Sequence, residues 1–509
     1  MPASIPRSPR TLFLGALCVL LTACGGGDPA ALAQPHAPLA ARLAEEPAGC
    51  SIGGVAAGLR GRVTLKLNEG FDSLVVREAG PFAFGRRVAA GQPYDVRVTA
   101  QPPGQHCELI GGSGTASADV GELQLRCREG SPRSLHALGA AAGGAGSASA
   151  LVEDAQGNLY AMTSGGGAHG RGAVIRIAAD GTASVLHSFD GGPMDEEPHR
   201  LSLGPDGSLY GVATLDERHP QGVVFRLSPQ GAYRVLHEFD DDADGSSPSS
   251  SLLLAGDGRF YGLTGTGGRH GGGTLYRFLP PNGRLEVLHS FRDVEALQAR
   301  DPEMTCDSDT DAENHANDFY SPSGELAEDP RTRTLYGTAI EGGEHGRGGV
   351  FSYGLQTRTL RSVASMLANC PAPSYGLMRT RDGDLFGVLQ QADQPLALFR
   401  VSGGRRLRVY RWFDAELVPR VPRGALVEGS DGRLYGISEH GGEHGCGALY
   451  SFDPARERAL LHHSFGDPGD PERVGCYPAS GLLISRGGAI HGVTGAAGPH
   501  GEGVVFRVR

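Results

Sequence analysis

Three groups of side chains in this chain have types and spacing that could do chemistry. The first is a set of histidines held in glycine: GGGAHGRGAV at 165 to 174, GGRHGGGTLY at 267 to 276, GGEHGRGGVF at 342 to 351, GGEHGCGALY at 441 to 450 and AGPHGEGVVF at 497 to 506. These supply His169, His270, His345, His444 and His500, and His219 falls at the same place in a sixth copy. Imidazole binds metals and carries protons near neutral pH, so a ring of them could do either. The second group is DDDADG at 240 to 245, where Asp240, Asp242 and Asp244 alternate before Gly245 as in the first half of a calcium loop. The twelfth position of such a loop would be Ser251 rather than Glu. The third is CDSDTDAENH at 306 to 315, with Asp307, Asp309, Asp311, Glu313 and His315. Carboxylates beside a histidine suit general acid and base work or a hard cation.

Other chemistries have no residues to run on. Gly-x-Ser-x-Gly, His-Glu-x-x-His, Cys-x-x-Cys and a P-loop are all missing from the sequence. The glycine-rich turns follow a strand and precede a strand, without the helix a dinucleotide fingerprint needs. Of 46 basic residues only Lys66 is a lysine, and it lies in the strand-like VTLKLN. A formal charge of −11 without a basic run argues against nucleic acid.

The elements that must position these residues are strands. Residues 50 to 129 alternate in period two through RVTLKLN, SLVVREA, YDVRVTAQ and ELQLRC, which predicts a small Ig-like β-sandwich. From 131 to 509 one unit repeats. Gly-x-Leu-Tyr-Gly aligns Tyr160, Tyr210, Tyr261, Tyr336, Phe386, Tyr435 and His491 at separations of 50, 51, 75, 50, 49 and 56. Such periods mark propellers and solenoids. Each unit carries four strand-length runs, clearest in SALVEDA, NLYAMT, AVIRIA and SVLHSF, with Asp-Gly and Gly-Asn turns between them. The chain stops at GVVFRVR, a third strand with no fourth to follow, and SLHAL at 134 to 138 has the form of the missing one. The expected fold is therefore all-β: a seven-bladed β-propeller closed by an N-terminal strand, which removes the free edges an open array would expose.

In that fold the second-to-third turns and the unit-to-unit connections share one face. Neighbouring sheets pack about 10 Å apart and a zinc–nitrogen bond is about 2 Å, so two turn histidines cannot easily share a metal, and a repeated structural turn is expected. A second series, His136, His187, His237, His289 and His463, falls on the outer strand and is expected to be exposed edge polarity. The connection from 292 to 324 is some 25 residues longer than its counterparts and brings the third acidic group to the same face. Cys306 and Cys370, and Cys446 and Cys476, each join adjacent blades on this face, which predicts two disulfides. Cys107 and Cys127 flank the last hairpin of the sandwich and could pair in an oxidising compartment, leaving Cys50 over.

Resemblances add to this reading. Arg7 and Arg10 precede the apolar TLFLGALCVLL, a signal peptide by length, and Leu-Thr-Ala-Cys resembles a bacterial lipobox, implying cleavage after residue 23 and lipid on Cys24. Gly25 in place of Asp implies the outer membrane, periplasmic or surface facing. Residues 24 to 49, rich in Ala, Pro and Gly, then read as a tether. The 50 to 129 segment resembles a small β domain found behind lipoprotein anchors, which implies a spacer or binding role. LYG-x-T-x-GG-x-x-G-x-G-x-VFR followed by VLHSF is similar to the GloVer, or choice-of-anchor, tandem-repeat proteins; QQADQPLALFRV in the fifth unit departs from it. The resemblance implies a surface-anchored repeat protein and brings no reaction with it. The expected function is an envelope lipoprotein, monomeric and without cofactor, whose propeller binds a protein or glycan partner. A polysaccharide hydrolase or lyase on the same face, and a calcium-stabilised adhesin, stand as the alternatives.

Overall fold

The computed structural model describes residues 49 to 508 except 101, 103–104, 140–143, 191–200, 214–220, 281–282, 293–309, 312–318, 367–369, 390–395, 404–405, 412–418, 468, 470–471 and 473. The chain is all-β there, with one 3-10 turn at Asn68–Gly70. Gly49 to Arg509 forms a single compact unit.

The N-terminal strands form one continuous six-stranded sheet where two packed sheets were expected from the sequence. Its organiser is the 16-residue strand Ile52–Leu67, which pairs antiparallel with Asp72–Ala83 and Pro93–Ala100 and parallel with Val120–Glu129. Register breaks between Ala56 and Arg60 and between Arg60 and Val63 let this strand bend. The strand thus serves both ends of one curled sheet, around a core that includes Ile52, Val63, Leu65 and Leu125. Cys107 and Cys127 stand opposite each other on paired strands and are disulfide-bonded. Cys50 is buried and free, its thiol directed at the Ala116 carbonyl.

Beyond residue 131 the aligned residues Tyr160, Tyr210, Tyr261, Tyr336, Phe386, Tyr435 and His491 lie on the second strand of seven successive four-stranded meanders. Within each, the first strand pairs with the second, the second with the third and the third with the fourth. In the last meander the fourth strand is Pro132–Ala137, antiparallel to Val504–Val508. Inner strands of the fourth and fifth units are bridged where Glu325 meets Gly376. The units pack through apolar faces. Val224, Phe260 and Tyr276 join units two and three, while Phe386, Leu434 and Phe452 join five and six. The core between units seven and one contains Leu138, Leu151, Val493 and Val505.

The hairpin turns are built by a side-chain device that sequence reasoning missed. Asp154, Asp206, Asp257 and Asp431 each accept a hydrogen bond from the hydroxyl of the aligned tyrosine: Tyr160 at 2.9 Å, Tyr210 at 3.2 Å, Tyr261 at 2.7 Å and Tyr435 at 2.8 Å. The same carboxylates accept turn N–H groups, such as those of Gln156 and Asn158 on Asp154. These bonds hold Asp154 and Asp257 below the usual carboxylate range despite burial. The recurrence of Asp four to six residues ahead of Tyr was visible in the sequence as an Asp-Gly turn, without its partner.

Candidate ligand-binding face

The described glycine-histidine turns lie at one end of the meanders. In units one, three, four and six, four glycines per turn hold φ between +69° and +102°, a region that disfavours any Cβ. A Cβ on Gly348 would fall 2.0 Å from the Ala339 carbonyl oxygen. A serine near the end of the outer strand, within VLHSF in units one and three, closes the turn. Ser188 accepts the N–H of Ala168 at 3.0 Å, Ser290 that of His270 at 3.1 Å, Ser365 that of Glu344 at 3.1 Å and Ser464 that of Glu443 at 3.0 Å. Glycine and serine are therefore needed by the backbone, while the histidine is free to face outward. His169, His270, His444 and His500 are exposed; His345 is buried, with no hydrogen bond to its Nδ1. His219 lies outside the described residues.

The outer-strand histidines correct the expectation of exposed edge polarity. His136, His187, His237, His289 and His463 are half-buried. Four of them meet the phenylalanine two residues on, edge to face, with centroids 5.0 Å apart for His187, 5.3 Å for His237 and 4.8 Å for His289 and His463. The cause is an extra residue in the outer strand. His187 faces Val174 while Val185 faces Ile175, so Leu186 is bulged and the histidine is re-aimed inward. Burial pushes His289 and His136 below the ordinary imidazole range, and the turn histidines His270 and His500 nearby push further the same way. The two histidine series thus meet within a unit.

Backbone strain recurs on this face. Ser247, Ser321, Val421 and Tyr477 hold φ of 53°, 51°, 53° and 55°, each directly ahead of a proline. A residue with a Cβ pays about 1 kcal/mol or more for that conformation. The four lie where the chain enters the inner strand of units three, four, six and seven. Arg423 sits beside them, paired with Glu439 at 2.6 Å and donating to the Tyr375 hydroxyl at 3.3 Å.

The expected cation loop is spent on its own folding. Asp240 accepts the N–H groups of Asp242 and Ala243, and Asp244 binds His237 Nε2 at 2.7 Å and the N–H of Asp240. No group of three His, Cys, Asp or Glu able to hold a metal occurs among the described residues. Asp240 and Asp244 are thus turned toward separate local donors. Of the long connection, Asp307, Asp309, Glu313 and His315 lie outside the described residues, as do Cys306 and Cys24. The short strand Thr310–Asp311 pairs with the outer strand of unit five, Asp311 standing opposite Arg406. Thr310–Asp311 thus covers the outer edge of unit five at its hairpin end, not at the histidine-turn face where the sequence placed it, because it adds to the start of that outer strand.

A disulfide joins Cys446, in the turn of unit six, to Cys476, at the start of unit seven, and Cys370 is also disulfide-bonded. Replacing Cys446 and Cys476 together by serine is expected to cost about 2–4 kcal/mol, read as a lower urea midpoint under non-reducing conditions.

The small sheet occupies the opposite end. Gly61 meets Asp431 in the first hairpin turn of unit six, and a cleft of about 690 Å³ there is lined by Arg60, Arg77, Arg433 and Arg456. A second cleft is lined by Val98, Thr99 and His106 from the small sheet and by Glu153, Gly157 and Ser485 from units one and seven. Burial raises Asp431 above the usual carboxylate range, unlike its counterparts in other units. His462 lies beside it, bonded to Ser451 at 2.8 Å; burial, then Arg433 and Arg60, lower its pKa to about 4.

Several solved structures are similar to this chain. A gluconolactonase from Xanthomonas campestris is 18% identical, over 65% of this chain and 90% of that one, with a TM-score of 0.36. A putative oxidoreductase (glucose dehydrogenase) from Thermus thermophilus is 16% identical over 75% and 100%, at 0.38. An oligogalacturonate lyase in complex with manganese is 13% identical over 72% and 98%, at 0.42. At such scores the likeness extends to no substrate and no site. No curated protein matches the chain. Residues 122–309 carry the Gloeobacter/Verrucomicrobia repeat, consistent with the GloVer repeat family.

Proposed function

We propose that this chain is an envelope lipoprotein, anchored through Cys24 at the outer membrane, whose repeats close as a seven-bladed propeller and bind a protein or glycan partner. In this reading residues 24–49 are the tether, 50–129 the small β domain and 131–509 the propeller, with Pro132–Ala137 as the closing strand. One observation carries the proposal: the histidine turns and the strained inner-strand starts share one end of the units, while the small sheet is docked on the other. Irregular loops on a rigid scaffold are where binding specificity is usually built.

A crosslinked pull-down of the intact lipidated protein from its own envelope, against a version lacking residues 300 to 320, tests this. Capture of a stoichiometric protein or glycan partner that is weakened without the segment is the expected result. Turnover of an envelope polysaccharide by the intact protein, lost with the segment, would replace the binding role by the hydrolase or lyase alternative.

A further inference from the structure

We infer that the boundary between units three and four holds a binding site for the oxyanion groups of an acidic sugar. The inference rests on the binding-module reading above and names its ligand class. A cavity of about 700 Å³ opens there on the loop-rich face, within the range of small-ligand sites. Arg269 and His270 come from the glycine-histidine turn, Arg292 from the end of the outer strand and His289 from within it. Gly271 pairs with Arg292, so turn and strand end are brought to one rim. Val287, Leu288 and Phe319 supply apolar wall.

Two features single out this boundary. No carboxylate lines the cavity among the described residues, and neither Arg269 nor Arg292 has an ion-pair partner among them. Arg277, Arg400 and Arg423, by contrast, are paired with Glu286, Asp384 and Glu439. At the boundary of units six and seven the same two positions hold Cys446 and Cys476, whose disulfide staples the gap; here they are Gly272 and Tyr320, and the gap stays open. Two unpaired guanidiniums are suited to bidentate oxyanion contacts. The apolar wall suits the C–H face of a sugar ring. A concavity of this volume fits a few sugar units rather than the roughly 800 Å² per partner that a protein interface buries.

The test uses calorimetric titration of the full chain with three probes: an alginate tetrasaccharide carrying carboxylates, glucose 6-phosphate, and neutral cellotetraose. At least one anionic probe is expected to bind while cellotetraose does not, and whichever anion binds identifies the oxyanion. The R269A/R292A double variant, altered only at exposed side chains, is expected to lose at least tenfold in affinity with unchanged circular dichroism. Binding of neither anion, or equal binding by the double variant, overturns the inference. If the pull-down still captures a partner in that case, the binding-module reading stands without it; if neither experiment shows binding, both fall.

Discussion

A chain that begins at residue 140, lacking both the small sheet and Pro132–Ala137, is expected to fail to fold cooperatively. The same chain with residues 131 to 139 moved behind Arg509 through a short Asp-Gly turn is expected to recover. Five residues of Val504–Val508 pair with Pro132–Ala137, and Leu138 is fully buried between the last and first units. Losing the strand removes Leu138, worth about 2 kcal/mol, and several ladder hydrogen bonds at about 1 kcal/mol each. It also bares an apolar edge strand, which invites aggregation. The total approaches the roughly 5–15 kcal/mol that separates folded from unfolded domains. Both variants lack the small sheet, so the difference isolates the strand. Matching thermal melts would show that the closing strand contributes little.

The second large effect is loss of stability in acid through His462. Its folded pKa is lowered to about 4 from 6.5 by burial, with Arg433 and Arg60 adding like charge and Asp431 opposing them. For a base lowered on folding, the stabilisation is present above the unfolded pKa and is lost as pH falls through the folded one. The window therefore runs from about 6.5 down to about 4. A shift of this size corresponds to about 3 kcal/mol once the window has been crossed. Urea midpoints at pH 7 and pH 4.5 should fall steeply for the native chain and less for His462→Gln, which keeps a polar partner for Ser451. The lowered carboxyls of Asp154, Asp206 and Asp257 act in the same direction but lower in pH, since their stabilisation is lost only as pH falls below the ordinary carboxylate value. Asp431 acts oppositely, because its raised pKa makes the protonated form the better tolerated one. Equal pH dependence in native and variant chains would remove His462 as the cause.

The architecture was legible because it is written many times. Gly-x-Leu-Tyr-Gly recurs at a register that the structure places on the second strand of each meander, and the glycines flanking His169, His270, His345 and His444 occupy the left-handed backbone region that their type suggests. What the sequence hid is what depends on side chains meeting across strands. Period-two reading puts His187 on the solvent side of its strand; the bulge at Leu186 reverses it, and a bulge leaves no composition signature. Ser290 looked like one more small residue of VLHSF until its hydroxyl was seen to close the turn at His270. The Asp240 to Asp244 series had calcium-loop spacing, but spacing cannot show that His237 already engages Asp244 and the loop's own N–H groups Asp240. The docking of the small sheet on the hairpin end was also illegible, because residues such as Gly61 and Asp431 are far apart in sequence and each serves a local turn or bend as well.

The central claim, that the histidine-turn face rather than the hairpin face meets the partner, can be tested by site-specific photocrosslinking in the native envelope. A photoreactive residue would replace His270 or His444 on one face and Asp206 or Arg381 in hairpin turns on the other. The account predicts a shared crosslinked species from 270 and 444 and none from 206 and 381. Crosslinks confined to 206 and 381, or equal from both faces, would contradict it.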